Sequence, residues 1–266
     1  MTSFEKIKLT TVKNIIVVAS GKGGVGKSTV SANLAIALAR NGMKVALVDA
    51  DIYGPSIPTM FGIKDEQPAV SALGDKEQMM PIEKYGVKII SIGFFIKPNQ
   101  GLIWRGPMAA NAIKQLLETT VWGDIDYMVI DFPPGTGDIQ LTIAQSLNIS
   151  GAIVVTTPQE IALADARKAA SMFGTLGIEI PVVGVVENMS WFTPKQHPDE
   201  KYFIFGQGGG ERLATELKVP LLTQIPLIME VGVAADKGLS IFSQTEVAAV
   251  KALETLAEKV LSAVEV

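Results

Sequence analysis

The chain has 266 residues, 48% hydrophobic and 19% charged, a composition that supports a sizeable buried core and excludes a disordered chain. Its net charge of -4 gives none of the basic field that a general nucleic-acid binder needs. With no cysteine and a single histidine, His197, disulfides, thiolate nucleophiles, cysteine-ligated metal centres and polyhistidine sites are excluded.

No stretch reaches the roughly 18 to 20 apolar residues of a membrane span. The first residues, MTSFEKIKLTTVKN, lack the apolar core of a signal peptide, so a cytoplasmic protein without membrane or nucleic-acid partners is expected. Residues 1–13 read as an N-terminal extension, and 14–266 as one domain without repeats or linkers. Residues 14–20 (NIIVVAS) form a continuously apolar, β-branched run, the pattern of a parallel strand buried on both faces. A glycine-rich turn follows, and residues 28–40 carry alanine and leucine at helical spacing. Residues 43–49 (MKVALVD) predict a second strand. Residues 65–84 are polar and read as an irregular surface excursion. Residues 127–131 (YMVID) predict a third strand, and 151–156, 182–187 and 221–225 further ones. Helices are predicted over 138–147, 160–173 and 209–217, and over 245–264 at the end; residues 195–201 (KQHPDEK) read as a mobile loop. Strands alternating with helices imply right-handed βαβ units, hence an α/β fold with a mostly parallel central sheet and helices on both faces.

Residues 21–28, GKGGVGKS, fit the spacing G-x-x-x-x-G-K-[ST] directly between a strand and a helix, the context a phosphate-binding loop requires. Glycines let backbone wrap a phosphate, and the following helix start offers unpaired N–H groups and a positive dipole end. Gly21, Gly23, Gly24, Val25, Gly26, Lys27, Ser28 and Thr29 are therefore the candidate nucleotide contacts. Lys27 would neutralise the β- and γ-phosphates, and the Ser28 hydroxyl would ligate Mg²⁺. The alternative is a glycine-rich strand-to-helix turn with no ligand. Lys22 is a second cation in the turn; it serves its own site, a neighbour's, or none, as a solvated surface lysine.

The second strand ends in Asp49-Ala50-Asp51, at the carboxyl edge where open α/β sheets bind ligands. Two positions apart in extended backbone, these carboxylates share a side; one suits the Mg²⁺ shell and the other an attacking water. The third strand ends in Asp131, in the position of a magnesium-holding aspartate. Each of these acids taken alone also fits a helix cap, and Asp138 reads as a helix N-cap.

KGGVGKS, the DAD of residues 49–51, DFPPGTGD (131–138) and ENMSWF (187–192) together resemble the Mrp/ApbC group of deviant Walker A, MinD/ParA-like P-loop ATPases. DIYGPSIPTMF (51–61) and WRGPM (104–108) match that group rather than its relatives, and the resemblance spans about residues 13–242. It implies an ATPase that uses Mg²⁺, works as an ATP-dependent homodimer, and transfers iron–sulfur clusters to apoprotein clients. It also implies that Lys22 crosses to the partner's nucleotide, Asp51 positions the hydrolytic water, and Asn188 reads the adenine edge with Ile225 and Pro226 nearby. Family members often carry C-x-x-C after ENMS-x-F, where two subunits hold a bridging [4Fe-4S] cluster. Here TPKQHP stands in that place, and soft thiolates are what such clusters need. His197 beside proline reads as a metal ligand or, more simply, as a solvated side chain. The rival readings are a MinD/ParA-like positioning switch and a regulatory ATPase docking a protein through residues 94–105 or 191–205. The positioning switch requires a basic tail or surface, and the tail carries Glu254, Glu258 and Glu265 against Lys251 and Lys259.

Overall fold

The computed structural model describes residues 6–73, 76–96, 106–243 and 248–265. In chain order the elements are β1 (Val12–Ala19), α1 (Lys27–Arg40), β2 (Val45–Asp49), α2 (Ile57–Met60), β3 (Ala69–Leu73), β4 (Lys76–Met80), β5 (Ile82–Lys84) and β6 (Val87–Ser91). They continue as α3 (Gly106–Thr119), β7 (Ile125–Asp131), α4 (Asp138–Ser146), β8 (Gly151–Thr156), α5 (Glu160–Phe173), β9 (Val182–Phe192), α6 (Gly209–Leu217), β10 (Leu221–Leu227), α7 (Met229–Asp236) and α8 (Ala248–Ala263).

Eight strands form one sheet in the order β10-β9-β8-β1-β7-β2-β6-β5, parallel throughout except where β5 pairs antiparallel with β6. The apolar runs are continuous because both faces are covered. In β1, Ile16 and Val18 enter a core under α1 and α8, while Ile15, Val17 and Ala19 enter a second core under α3, α4 and the end of α5. Tyr127 and Val129 of β7 alternate with Met128 and Ile130 in the same way. The predicted α/β architecture is therefore the observed one.

Several boundaries shift. β9 does not stop at Glu187 but runs to Phe192, and β10 runs to Leu227. Residues 65–84 are not irregular: β3 and β4 pair antiparallel as a ribbon, and β5 joins the main sheet. Ala69, Val70, Glu77 and Met80 are exposed, while Met79 packs on the second core and its carbonyl accepts the Val121 N–H, so no period-2 apolar pattern announces the ribbon. β6 and α3 carried no sequence expectation. Asp138 is the first residue of α4 rather than its N-cap, which is Gly137. The C-terminal helix is described from Ala248; residues 245–247, like 104–105 of WRGPM and 97–105 of the candidate docking stretch, lie outside the described residues. Part of the expected N-terminal extension packs on the domain: Ile7 is buried and its N–H donates to the Ser146 carbonyl.

At the carboxyl edge three strand ends meet. Val18 of β1 and Asp49 of β2 are both register partners of Asp131 on β7, so the turn after β1 lies over two aspartates.

Candidate functional site

The turn between β1 and α1 is shaped by close approaches that exclude side chains. Gly24 and Gly26 have φ of 82° and 81°, the left-handed region that glycine occupies without penalty. A Cβ on Gly26 would sit 2.1 Å from Asn188 Nδ2, and one on Gly21 would sit 2.0 Å from the backbone carbonyl carbon of Asp165 in α5. The N–H of Gly135, in the loop after β7, donates to the Ser20 carbonyl (2.9 Å), clamping that loop to the turn. Gln140 holds the same loop from within, donating to the carbonyls of Pro133 and Pro134. No side chain caps the start of α1 and no acid lies in its first turn, which leaves the helix N-terminus positive and its first N–H groups available to an anion.

Lys27, buried at that helix start, donates from Nζ to Asp131 Oδ1 at 2.7 Å, lies 3.2 Å from Ser28 Oγ, and stands 3.6 Å from Asp51 Oδ2. Ser31, one turn along α1, also donates to Asp131 Oδ1 at 2.7 Å. Asp131 Oδ2 is buried without a hydrogen-bond partner. A carboxylate oxygen left this way costs on the order of 1–3 kcal/mol unless a cation or water meets it. The Asp131 and Asp51 carboxylates and the Ser28 hydroxyl gathered about Lys27 are hard oxygen donors, the ligand type of Mg²⁺.

Asp49 and Asp51, expected to act side by side, diverge. Asp49 is fully buried and accepts from the Asp51 N–H (3.2 Å), the Ile57 N–H (3.2 Å) and Ser91 Oγ (2.9 Å), pinning the loop into α2. Burial, and secondarily the charge of Asp131, push its carboxyl up to about 8. Asp51 turns toward Lys27 and accepts the Tyr53 N–H (3.3 Å) on its other oxygen; burial raises its pKa against the opposing pull of Lys27. Lys22, Lys27, Ser28, Asp51 and Pro134 line one cleft of about 200 Å³ over the glycine turn.

A second cavity, of about 450 Å³, opens from Gly26 and Thr29 and is walled by Asn188, Met189, Ile225, Pro226 and Met229. That volume suits a small-molecule ring system. Asn188 is buried, and its Nδ2 donates to the Val25 carbonyl (2.9 Å), so its amide ties this cavity to the glycine turn while Oδ1 remains an acceptor. Sequence reasoning missed Ser31, Ser91 and Glu187. Buried Glu187 accepts from the Gly210 N–H (2.5 Å) and from Gln224 Nε2 (2.7 Å), joining β9 to α6 and β10. The helical spacing Lys27–Ser31 was a signal for the first; an acid buried between strands left none. His197 lies apart, exposed, with Nδ1 3.3 Å from Glu200, and among the described residues no cluster of three or more His, Asp or Glu is placed to hold a metal. In the candidate docking stretches Phe94 is buried, whereas Phe95, Tyr202 and Phe203 are exposed.

Comparison with known proteins finds relatives over most of the chain. The profile of the ParA family, described as NUBPL iron-transfer P-loop NTPase, matches residues 11–261. The iron-sulfur cluster carrier protein of Synechocystis sp. is 49% identical over 94% of this chain and 70% of its own length. The nucleotide-binding protein of Archaeoglobus fulgidus in complex with ADP superposes with a TM-score of 0.75 at 39% identity, over 86% of this chain and 88% of that one. The cell division ATPase MinD of Pyrococcus furiosus shares the fold at 23% identity, with a TM-score of 0.66 over 94% and 98% of the two chains.

Proposed function

The chain belongs to the ParA family of NUBPL-type iron-transfer P-loop NTPases, and from that premise we propose that it binds and hydrolyses ATP with Mg²⁺ to drive iron–sulfur cluster transfer. One observation carries the nucleotide half: Lys27 stands at the uncapped start of α1 between Asp131 and Asp51, beside a carboxylate oxygen with no partner. Phosphates lie against the N–H groups of residues 21–29, with the Lys27 ammonium supplying positive charge where charge is spread in phosphoryl transfer. Ser28 and Asp131 would hold Mg²⁺, with Asp49 positioned behind them. When bound, the metal neutralises phosphate oxygens. Asp51, made more basic by burial, orients the attacking water. Asn188 and Pro226 take the base, and the cavity they line favours adenine, whose edge offers a donor and an acceptor to an amide. The reading includes a cytoplasmic homodimer of the 14–266 unit in which Lys22 reaches the partner's nucleotide.

The cluster is cargo, and this chain does not fit it as ligand: the sequence contains no cysteine, and the described residues show no multi-ligand metal group. The thiolates therefore come from the client or from an assembly partner, and this chain contributes the ATP-driven step. α8, which balances Lys251 and Lys259 with Glu254 and Glu258, is not the basic amphipathic element that a membrane switch uses. Calorimetry and phosphate release with ATP and Mg²⁺ test the first half; a chain that takes up no adenine nucleotide refutes it. Anaerobic transfer of a cluster between a loaded donor and an apoprotein, with and without this chain and ATP, tests the second. Unchanged transfer rates would refute the iron–sulfur role.

A further inference from the structure

In a regular strand, successive side chains point to opposite faces. Asn188 and Met189, consecutive in β9, nevertheless reach the same spot. Measured from the position a Cβ would take on Gly26, Asn188 Nδ2 is 2.1 Å away and Met189 Cε 3.8 Å. The backbone explains how. Met189 has φ of 54°, a left-handed conformation that is uncommon and costly for a residue with a side chain. The pairing with β10 shows the kink: Ile225 pairs with Asn188 and Leu227 with Phe192, so four steps on β9 oppose two on β10. Ser190 Oγ donates back to the Glu187 carbonyl (2.8 Å), closing the bulge. Bulges re-aim side chains beside functional sites, and a strained non-glycine residue persists only where its surroundings enforce it.

We propose that Met189 is a base-specificity residue, its thioether forming the face on which the nucleotide's aromatic base lies while Asn188 meets the base edge. The inference rests on the nucleotide reading above and deepens it. Met189 is half-buried, lines the 450 Å³ cavity beside Pro226, and carries a polarizable sulfur of the kind that makes favourable contacts with aromatic rings. The bulge thus converts one strand position into two contacts, edge and face, both resting on the glycine turn that holds the phosphates. Its consequence is selective: Met189 acts on ligands that carry a base and is indifferent to the triphosphate alone.

The test compares calorimetric Kd values for ATP and for inorganic tripolyphosphate, each with Mg²⁺, in wild type, Met189→Leu, Met189→Ala and Met189→Gly. Met189→Ala is expected to weaken ATP about tenfold and tripolyphosphate not at all, raising KM while kcat at saturating ATP holds. Met189→Leu, similar in volume but without sulfur, should lose about threefold or less. Met189→Gly accepts the left-handed backbone freely, so it should keep or raise Tm and still lose ATP affinity like the alanine variant. Equal changes for both probes, or none for either, would overturn the assignment. A wild-type chain that takes up no ATP would instead remove the nucleotide reading beneath it.

Discussion

Gly26→Ala probes the junction on which the whole site turns. Alanine at φ 81° costs about 1–2 kcal/mol in backbone strain. Its methyl would sit 2.1 Å from Asn188 Nδ2, so the amide must swing away and surrender its 2.9 Å bond to the Val25 carbonyl, a further ~1 kcal/mol. The sum of about 2–3 kcal/mol corresponds to a fall in Tm of roughly 5–10 °C for a domain of this size, read by thermal unfolding without nucleotide. Because the two positions collide, their effects cannot add. Asn188→Ala alone should cost ~1 kcal/mol by losing the bond. In the Gly26→Ala background, where that bond is already broken, it should cost almost nothing. A double variant whose loss equals the sum of the singles, or a Gly26→Ala protein that melts with wild type, would refute the account of how Asn188 is anchored.

Lys27→Ala should abolish phosphate release and weaken ATP binding measurably by calorimetry, since it also strips Asp131 of its 2.7 Å partner; Lys22→Ala should abolish turnover with a smaller loss of binding. Asp131→Asn should lose the magnesium dependence of ATP affinity, checked by titration with and without EDTA, because its partnerless oxygen becomes a neutral amide group. Asp49 has its folded pKa raised to about 8, so the folded state holds the proton more tightly than the unfolded chain. Its contribution to stability is present at low pH and is lost as pH rises from about 4 through about 8, with a slope of up to ~1.4 kcal/mol per unit. In magnesium-free buffer between pH 5.5 and 7.5, the Tm of wild type should therefore fall relative to that of Asp49→Asn; a constant difference would contradict this. Gly21→Ala, whose methyl would strike the rigid backbone of α5, should destabilise more than Gly23→Ala, where a Cβ meets nothing within 4 Å.

What was legible in the sequence depended on whether a segment's own pattern decided its structure. The strands ending in Ala19, Asp49 and Asp131 are buried on both faces, so their apolar runs stand out and their carboxyl ends were placed within two residues. The phosphate turn was legible because only glycine satisfies its close approaches and left-handed angles. The β3–β4 ribbon was not, because its pairing is backbone that any residue can make and Met79 packs on the core without an alternating apolar pattern around it. Nor was the divergence of Asp49 from Asp51: spacing placed both on one side of an extended strand, but the chain leaves β2 after Asp49. Its acceptors then collect the N–H groups of the turn that follows. The kink at Met189 was equally hidden, since a methionine gives no sign of left-handed backbone and the register shift arises only from pairing with β10.

The electrostatics of the strand ends explain why one lysine suffices among three aspartates. Asp49, Asp51 and Asp131 surround a single buried ammonium, and three ionised carboxylates would leave two uncompensated negative charges in a low-dielectric setting. Burial and the nearby Asp131 push Asp49 toward its neutral form, which eases that excess. The remaining excess lies between Asp51, which lines the cleft with Ser28, and Asp131, which is buried behind Lys27 with one oxygen unpartnered. On the proposed nucleotide reading, a divalent cation arriving with a triphosphate would supply the missing positive charge. Lys27, now shared between two carboxylates at 2.7 and 3.6 Å, is then no longer required to balance them. On that reading metal and nucleotide favour one another's binding, because the cation relieves the negative excess that the triphosphate alone would deepen.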